Sequence, residues 1–307
     1  MQSFIKIGDL IHHYRIEKGL TQEELAEGIC SREYIYQLET HKKIPTLYMI
    51  NLLSERLGTN LYDSYATMFR HNGIETHKKI VLINQALASA DFNRLDLLVS
   101  QYKDLPDFQT GEPKMFLQYS ECVYLSNVLY ENHKAIDLAK SALGISSIDT
   151  IEHFFVNKHF SNIEFLLINF IAVNSCRENN YVEGKKYFDE LYKHMDLLFK
   201  ENHYISNRNN HFELRFFANL IYNDFCFFYD KGLFDTDKLD TILNLLKSLY
   251  SHFNLPELLL CRSCIYFKNN EVDLGNQYKK IAQTLGVYLY SQEIMEQLEQ
   301  DILSLCR

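Results

Sequence analysis

Residues 20–45 constrain the fold of this chain most, because their pattern predicts two short helices joined by a tight turn. Thr21 and Glu24 have the spacing of a capping box, which predicts that Thr21 caps the first helix. Gly28 is placed to end that helix, and Ser31 is a favourable N-cap for the second helix. The stretch therefore predicts a helix, a turn and another helix in close succession.

The second predicted helix has an apolar face and a polar face. Ile35 and Leu38 are spaced to point inward. The side chains left facing outward are those of Arg32, Glu33, Tyr36 and Gln37. Arg pairs with guanine and Gln with adenine in the major groove, so this face has the chemistry to read duplex DNA. A plain solvated helix face is the alternative interpretation of the same residues.

Net charge limits how strongly one copy of this chain is expected to bind DNA. The chain carries a net charge of −9, and residues 1–70 hold 8 Lys and Arg against 9 Asp and Glu. Phosphate contacts supply most non-specific affinity. A monomer is therefore expected to bind DNA weakly and to depend on a homodimer to double its contacts. The acidic remainder is a poor candidate for contact with nucleic acid.

Composition and periodicity predict an all-α protein. The 307 residues include only 11 Gly and 4 Pro, and apolar residues recur at helical spacing throughout. Five helices are predicted within residues 1–69, as a small N-terminal domain. Residues 70–77 break the apolar pattern and are predicted to be a linker, and residues 78–307 are predicted to form the second domain.

The second domain is predicted to consist of helix pairs. Short polar turns recur near Asp91, Asn132, Asn180, Gly232 and Asn270, at intervals too uneven for a strict 34-residue repeat. Residues 132–139 and 180–188 nevertheless resemble the second helix of degenerate tetratricopeptide units. This predicts about five helix pairs, followed by a C-terminal capping helix at residues 291–306. That last helix alternatively forms part of a dimer contact.

Stacked helix pairs line a concave groove with their first helices, and grooves of this kind hold peptides. Asparagine amides both donate and accept hydrogen bonds, and arginine pairs with carboxylates, so these side chains suit the binding of an extended peptide. The residues predicted to contact a peptide are Asn162, Phe165, Asn169, Arg215, Phe216, Asn219 and Asn223. In the alternative interpretation the aromatic residues are core between helix pairs and the asparagines lie on a solvated face.

No catalytic residue, metal site or cofactor is predicted. The chain has no phosphate-binding glycine loop, no serine elbow and no histidine pattern of a metalloenzyme. Seven scattered cysteines predict reduced thiols in a cytoplasmic protein, and the apolar surroundings of Cys261 and Cys264 favour core packing over a redox or metal half-site. No secretory signal and no apolar run of about 20 residues is present, so neither export nor membrane insertion is expected.

The pattern Leu-Thr-Gln-x-x-Leu-Ala, followed by Ile35, Leu38-Glu39 and Pro45, resembles the lambda-repressor-like, Cro/C1-type helix-turn-helix family over about residues 5–69. This resemblance implies a phosphate contact for Gln22, base contacts for the outward face of the second helix, and backbone contacts for Lys42 and Lys43. The chain departs from the family where Thr40 and His41 occupy a turn that usually contains glycine. Glu33 also fits a base-contacting position only if its carboxylate accepts a hydrogen bond from a cytosine amino group.

The combination of the two domains resembles the peptide-responsive quorum-sensing regulators of Gram-positive bacteria, the Rap, Rgg, NprR, PlcR and PrgX group. That resemblance implies a sequence-specific transcription regulator whose repeat groove binds a short signalling peptide. Reorientation of the repeats would then change the spacing of two DNA-binding domains. A different hypothesis is a helix-turn-helix regulator whose repeats are a protein-interaction and dimerisation scaffold without a pheromone. An enzyme is the least supported hypothesis.

Overall fold

The computed structural model describes residues 6–70, 73–145, 155, 160–200, 211–249 and 251–305, without the side chains of residues 68–70, 196–200 and 211. The regular elements in these ranges are all helices, as predicted. The chain forms two compact units, Met1–Leu143 and Gly144–Arg307. The predicted domain division at residues 70–77 stays a prediction.

The first unit begins with five helices: α1 (Ile7–Glu17), α2 (Gln22–Ala26), α3 (Arg32–Glu39), α4 (Leu47–Leu57) and α5 (Leu61–Arg70). Their apolar stripes meet in one small core, in which nearly all side chains are fully buried. Its aliphatic members are Leu10, Ile11, Leu25, Ala26, Ile35, Leu38, Leu53, Leu57 and Leu61. Burial of each of the leucine and isoleucine side chains contributes about 1.5–3 kcal/mol.

A glycine lets α1 and α3 approach each other closely. A Cβ placed on Gly8 would lie 2.0 Å from the carbonyl oxygen of Leu38, a distance that real Cβ atoms do not reach. Only a residue without a side chain therefore allows this contact. The close approach fixes α3 against α1, so the position of α3 depends on the packing of the whole five-helix core.

Four further helices complete the first unit: α6 (Ile74–Ala88), α7 (Phe92–Tyr102), α8 (Gly111–Asn127) and α9 (Asn132–Leu143), with a short 3-10 helix (Pro106–Phe108) before α8. The second unit contains α10 (Asn162–Arg177), α11 (Tyr181–Lys200), α12 (His211–Phe228), α13 (Thr236–Ser248), α14 (Leu255–Lys268), α15 (Val272–Leu289) and α16 (Gln292–Ser304). Consecutive helices pack as α6 on α7, α8 on α9, α10 on α11, α12 on α13 and α14 on α15.

The polar turns predicted from the sequence all lie between paired helices. In or beside each of them one residue has a left-handed backbone conformation, and these residues are Ala90, Tyr130, Asn179, Gly232 and Asn270. A left-handed residue after a helix reverses the chain and satisfies its last carbonyls. Each turn therefore ends the first helix of a pair and reverses the chain, so that the second helix runs back along the first.

One prediction about the cysteines is wrong. Cys264 is disulfide-bonded rather than reduced, whereas Cys261 beside it is a free, fully buried thiol. The four other described cysteines are free. The pairing of Cys264 is not with its close neighbour, so the local spacing of cysteines gave no sign of it. No helix among the described residues is long and apolar enough to cross a bilayer.

Candidate DNA-binding surface and candidate peptide-binding residues

The predicted caps shape the segment that ends in α3. The Thr21 hydroxyl accepts a hydrogen bond from the Glu24 N–H at 3.2 Å, and the Glu24 carboxylate accepts one from the Thr21 N–H at 2.7 Å. The bond from the Thr21 backbone N–H is the largest cause that lowers the pKa of the Glu24 carboxyl, and the Thr21 side chain lowers this pKa further. Gly28 then takes a left-handed conformation in the turn. The Ser31 hydroxyl accepts from the Tyr34 N–H at 3.1 Å and starts α3.

A buried ion pair holds the end of α3 against α1. Arg15 Nε donates to Glu39 Oε1 at 2.6 Å, and a second guanidinium nitrogen donates to Glu39 Oε2 at 3.0 Å. The third nitrogen of this guanidinium donates to the Leu20 carbonyl at 2.8 Å. Both side chains are buried, with 8% and 5% exposed. A bidentate pair of this kind fixes orientation as well as distance.

Burial raises the pKa of the Glu39 carboxyl, but hydrogen bonds outweigh burial and the net shift is downward. The donors are Arg15, Gln22 and His12. Sequence reasoning missed this pair. The available signal was the place of Arg15, one turn after Ile11 on the apolar face of α1, where a charged side chain needs a buried partner.

Gln22 belongs to the same network. Its side chain is half-buried, and its amide nitrogen donates to Glu39 Oε2 at 2.9 Å. The amide is therefore held at the start of α2, beside the turn that leads to α3. The predicted contact of Gln22 with a phosphate stays a prediction.

The outward face of α3 carries the four residues predicted to meet base edges. Arg32 and Glu33 are exposed, and Tyr36 is 40% exposed. Gln37 donates from Nε2 to Glu33 Oε1 at 3.0 Å, so these two side chains are joined across one helical turn. Arg32 has no hydrogen-bond or ion-pair partner within the described ranges. This face is therefore open at Arg32, Glu33 and Tyr36, with a free guanidinium at its N-terminal end, whereas Gln37 is half-buried and its Oε1 has no partner in the described part of the chain.

The two predicted backbone-contacting lysines lie next to this face. Lys42 Nζ is 5.1 Å from the centre of the Tyr36 ring, and Lys43 Nζ is 5.2 Å from that of the Tyr34 ring. Cations at this distance are attracted to an aromatic face. The rings therefore hold both ammonium groups beside α3, and Tyr34 is a positioning residue that sequence reasoning did not identify.

The turn after α3 accommodates a histidine where glycine is usual. His41 has φ +62°, and its Nε2 lies 3.0 Å from Asp9 Oδ1 on α1. Residues other than glycine adopt this conformation only when their surroundings compensate the strain. The contact with Asp9 supplies that compensation. His41 therefore takes, in this turn, the left-handed conformation that glycine adopts most easily.

The residues predicted to bind a peptide lie on α10 and α12, and their exposure differs. Asn162 and Arg215 are exposed, and Asn219 and Asn223 are half-buried. Phe165 and Phe216 are 4% exposed each, and their ring centres are 5.2 Å apart. The two phenylalanine rings therefore pack as core between helices, which is the role that the alternative interpretation of the sequence gives them. Peptide contact by these aromatic side chains stays a prediction.

Asn169 on α10 has an unsatisfied acceptor. Its side chain is 9% exposed, and its Oδ1 is buried without a hydrogen-bond partner in the described part of the chain. An unpaired buried acceptor lowers stability by about 1–3 kcal/mol. A ligand that brings an N–H group to this oxygen would recover that free energy.

The chain is similar to known proteins in sequence over one segment and in fold over nearly its whole length. Residues 11–63 match the family described as Helix-turn-helix. A crystal structure of PlcR from Bacillus thuringiensis, in complex with the peptide PapR7 and DNA, is similar at 18% identity and a TM-score of 0.67, over 97% of this chain and 99% of that one. A putative transcriptional regulator from Listeria monocytogenes is similar at 16% identity and a TM-score of 0.53, over 97% and 96%.

ComR from S. thermophilus, in complex with DNA and its signalling peptide ComS, is similar at 12% identity and a TM-score of 0.50, over 98% of this chain and 99% of that one. No curated protein gives a significant match. Identities this low establish a shared fold. The chain therefore contains a helix-turn-helix domain at residues 11–63 and has the all-helical fold of PlcR and ComR.

Proposed function

We propose that this chain is a sequence-specific DNA-binding transcription regulator whose activity is controlled by a short signalling peptide. The observation that carries the proposal is the exposed polar face of α3. The buried ion pair between Arg15 on α1 and Glu39 on α3 fixes this helix to α1. A helix held this rigidly presents Arg32 at a defined position, and a planar guanidinium can pair with both acceptors of a guanine.

The side chains near Arg32 have different roles in the proposed DNA binding. The ammonium groups of Lys42 and Lys43 are placed to contact phosphates, which set affinity but carry no sequence information. Gln37 would leave its contact with Glu33 to meet an adenine. Because the domain has no net positive charge, two copies on two half-sites about 34 Å apart are needed for stable binding. We place the protein in the cytoplasm, where both DNA and an imported peptide are accessible.

Control by a peptide is supported by the fold and by one side chain. PlcR and ComR, whose fold extends over nearly the whole of this chain, were both crystallised with a peptide and with DNA. In this chain the buried, unpaired oxygen of Asn169 is the acceptor that an extended peptide backbone can satisfy. No residue is given a catalytic role.

The DNA part of the proposal is tested by selecting duplexes from a random pool with the full-length protein. A single enriched, two-fold symmetric site is the expected outcome. Lys43→Ala should then weaken binding to all duplexes and reduce the slope of log affinity against log salt by about one. Lys103→Ala, an exposed lysine on the same unit, is the control. Failure to enrich any sequence would contradict sequence-specific binding.

The peptide part is tested by affinity selection from a pool of synthetic peptides of about five to ten residues, followed by titration calorimetry. Saturable one-to-one binding is expected, and Asn169→Leu should weaken it. A protein that binds DNA but retains no peptide would instead be a regulator whose repeats are an interaction scaffold.

A further inference from the structure

Glu257 has a buried carboxylate of which only one oxygen is hydrogen-bonded. The residue lies in the first turn of α14 and is 6% exposed. Its Oε1 accepts a hydrogen bond from the Tyr290 hydroxyl at 2.6 Å. Its Oε2 is buried and has no hydrogen-bond partner within the described ranges. A buried carboxylate is normally paired with a cation, and Glu257 has no such partner in the same ranges.

The position of Glu257 in its helix accounts for a negative charge but not for the unpaired oxygen. The N-terminus of a helix favours an acidic side chain in the first turn. Such a side chain can stay in solvent, whereas that of Glu257 is buried. A metal ion would need further ligands, and the part of the chain that the structure describes contains no group of three or more His, Cys, Asp or Glu residues that could hold one.

Tyr290 supplies one proton to this carboxylate and has no second one to give. Burial raises the pKa of the Tyr290 hydroxyl, and its hydrogen bond to Glu257 raises this pKa further, whereas the positive charge of Arg215 lowers it. The net shift is upward, so the hydroxyl stays protonated at neutral pH. A hydroxyl has a single O–H donor, which is directed to Oε1, and Oε2 therefore needs a donor from elsewhere.

Arg215 lies near this carboxylate without pairing with it. It is on the second turn of α12, and α12 packs on α14. Its guanidinium is exposed and has no hydrogen-bond or ion-pair partner among the described residues. The second unit thus carries a negative and a positive side chain on two adjacent helices, each of which is the first helix of its pair. First helices are the ones that line the groove of stacked pairs.

We infer that Glu257 binds a primary ammonium group of the signalling peptide, from either its N-terminus or a lysine side chain. An ammonium group has three N–H donors, so it can satisfy Oε2 and neutralise the buried charge at the same time. A peptide carboxylate bound to Arg215 keeps the two positive charges from repelling each other. Oε2 becomes accessible by rotation of the half-buried Tyr290 side chain, which follows the last residue of α15.

This inference rests on the peptide control of the proposed function and adds the charge that the peptide must carry. Its test uses the full-length protein and two pools of synthetic peptides of about five to ten residues. The pools have the same sequences, but all amino groups of the second pool are acetylated. Only the pool with free amino groups should yield bound peptides.

Titration calorimetry of a retained peptide identifies which ammonium group is bound. The peptide is compared with its N-acetylated form and with a form that has norleucine in place of each lysine. One of the two changes should raise the dissociation constant about ten- to a hundredfold, because it removes a charged hydrogen bond. This arm uses the wild-type protein and does not depend on the folding of any variant.

Glu257→Gln removes the charge of the side chain while keeping its size. It should raise the dissociation constant of the free-amine peptide about tenfold or more, and it should abolish the difference between the free-amine and acetylated peptides. Glu271→Gln is the control, because it removes an exposed carboxylate from the same unit. It should change the constant by less than about threefold.

The outcomes separate this inference from the proposed function. Equal retention of peptides from both pools would overturn the inference and leave peptide control intact. Equal weakening of the free-amine and acetylated peptides by Glu257→Gln would also overturn it, since a purely structural role of Glu257 gives that result. If neither pool yields a bound peptide, the inference and the peptide part of the proposed function are both wrong.

Discussion

The buried pair between Arg15 and Glu39 gives the sharpest prediction about the stability of the DNA-binding surface. In Glu39→Leu the Arg15 guanidinium keeps its bond to the Leu20 carbonyl but loses both carboxylate bonds in a site where 8% of the side chain is exposed. Removing one member of a buried pair lowers the free energy of unfolding by about 3–5 kcal/mol. Arg15→Met should lower it by a similar amount.

The double variant should behave differently from either single variant. With Arg15→Met and Glu39→Leu together, no charge stays buried, and an apolar pair of similar volume is often neutral relative to the ion pair. Native-state hydrogen exchange of the full-length protein, read for peptides from α1 and α3, reports local opening separately from the second unit. The single variants should raise the opening equilibrium about a hundred- to several-thousand-fold.

A more exposed side-chain contact on the same helix is the control. His13 Nε2 lies 4.0 Å from Glu17 Oε2, with 33% and 61% of the side chains exposed. Glu17→Gln should change stability by less than about 1 kcal/mol. If Glu39→Leu is no more destabilising than Glu17→Gln, the pair does not hold α3 in place. The same conclusion follows if the double variant loses as much free energy of unfolding as the two single variants lose together.

The same pair predicts a dependence on pH with a definite sign. The folded-state pKa of Glu39 is depressed, so its contribution to stability is complete above the unfolded value of about 4.3 and is lost as pH falls through the lower folded value. The difference in exchange protection between the wild type and Glu39→Gln should therefore shrink on acidification below about pH 4. A difference that grows on acidification would contradict the direction of the shift.

Four further substitutions test packing and hydrogen bonding by chemical denaturation. Gly8→Ala should destabilise by about 1–3 kcal/mol, because its Cβ would lie 2.0 Å from a carbonyl oxygen of α3. Asn169→Leu should leave stability equal or higher, since it removes an unpaired acceptor, whereas Asn174→Leu on the same helix should lower it, because the Asn174 amide donates to a backbone carbonyl at 2.9 Å. Tyr192→Phe should lower stability by about 1–3 kcal/mol, because the Tyr192 hydroxyl donates to the fully buried Asp224 at 3.0 Å.

Local rules predicted the helices and their ends. The cap at Thr21, the cap at Ser31 and the turns between helix pairs follow from neighbouring residues, and all are present in the structure. The inward positions of Ile35 and Leu38 follow from helical spacing in the same way. These features are decided within a few residues, so periodicity and capping preferences are sufficient to find them.

Features that depend on distant parts of the chain were not predictable in this way. Arg15 on α1 and Glu39 on α3 are separated by the whole of α2 and the two turns beside it, and only the packing of α1 on α3 brings them together. Periodicity placed Phe165 and Phe216 on one side of their helices, but it could not distinguish a groove from the contact between α10 and α12, where both rings are buried. The contact of His41 with Asp9 is also set by tertiary packing.

The most direct test of the central claim compares Arg32→Ala with Arg94→Ala on the selected duplex and on duplexes with single base-pair changes. Arg94 is an exposed arginine on α7 of the same unit and controls for the lost charge. If α3 reads base edges, Arg32→Ala should reduce discrimination at one base pair of each half-site by about ten- to a hundredfold, while Arg94→Ala retains it. Equal discrimination by the two variants would show that α3 does not read the sequence.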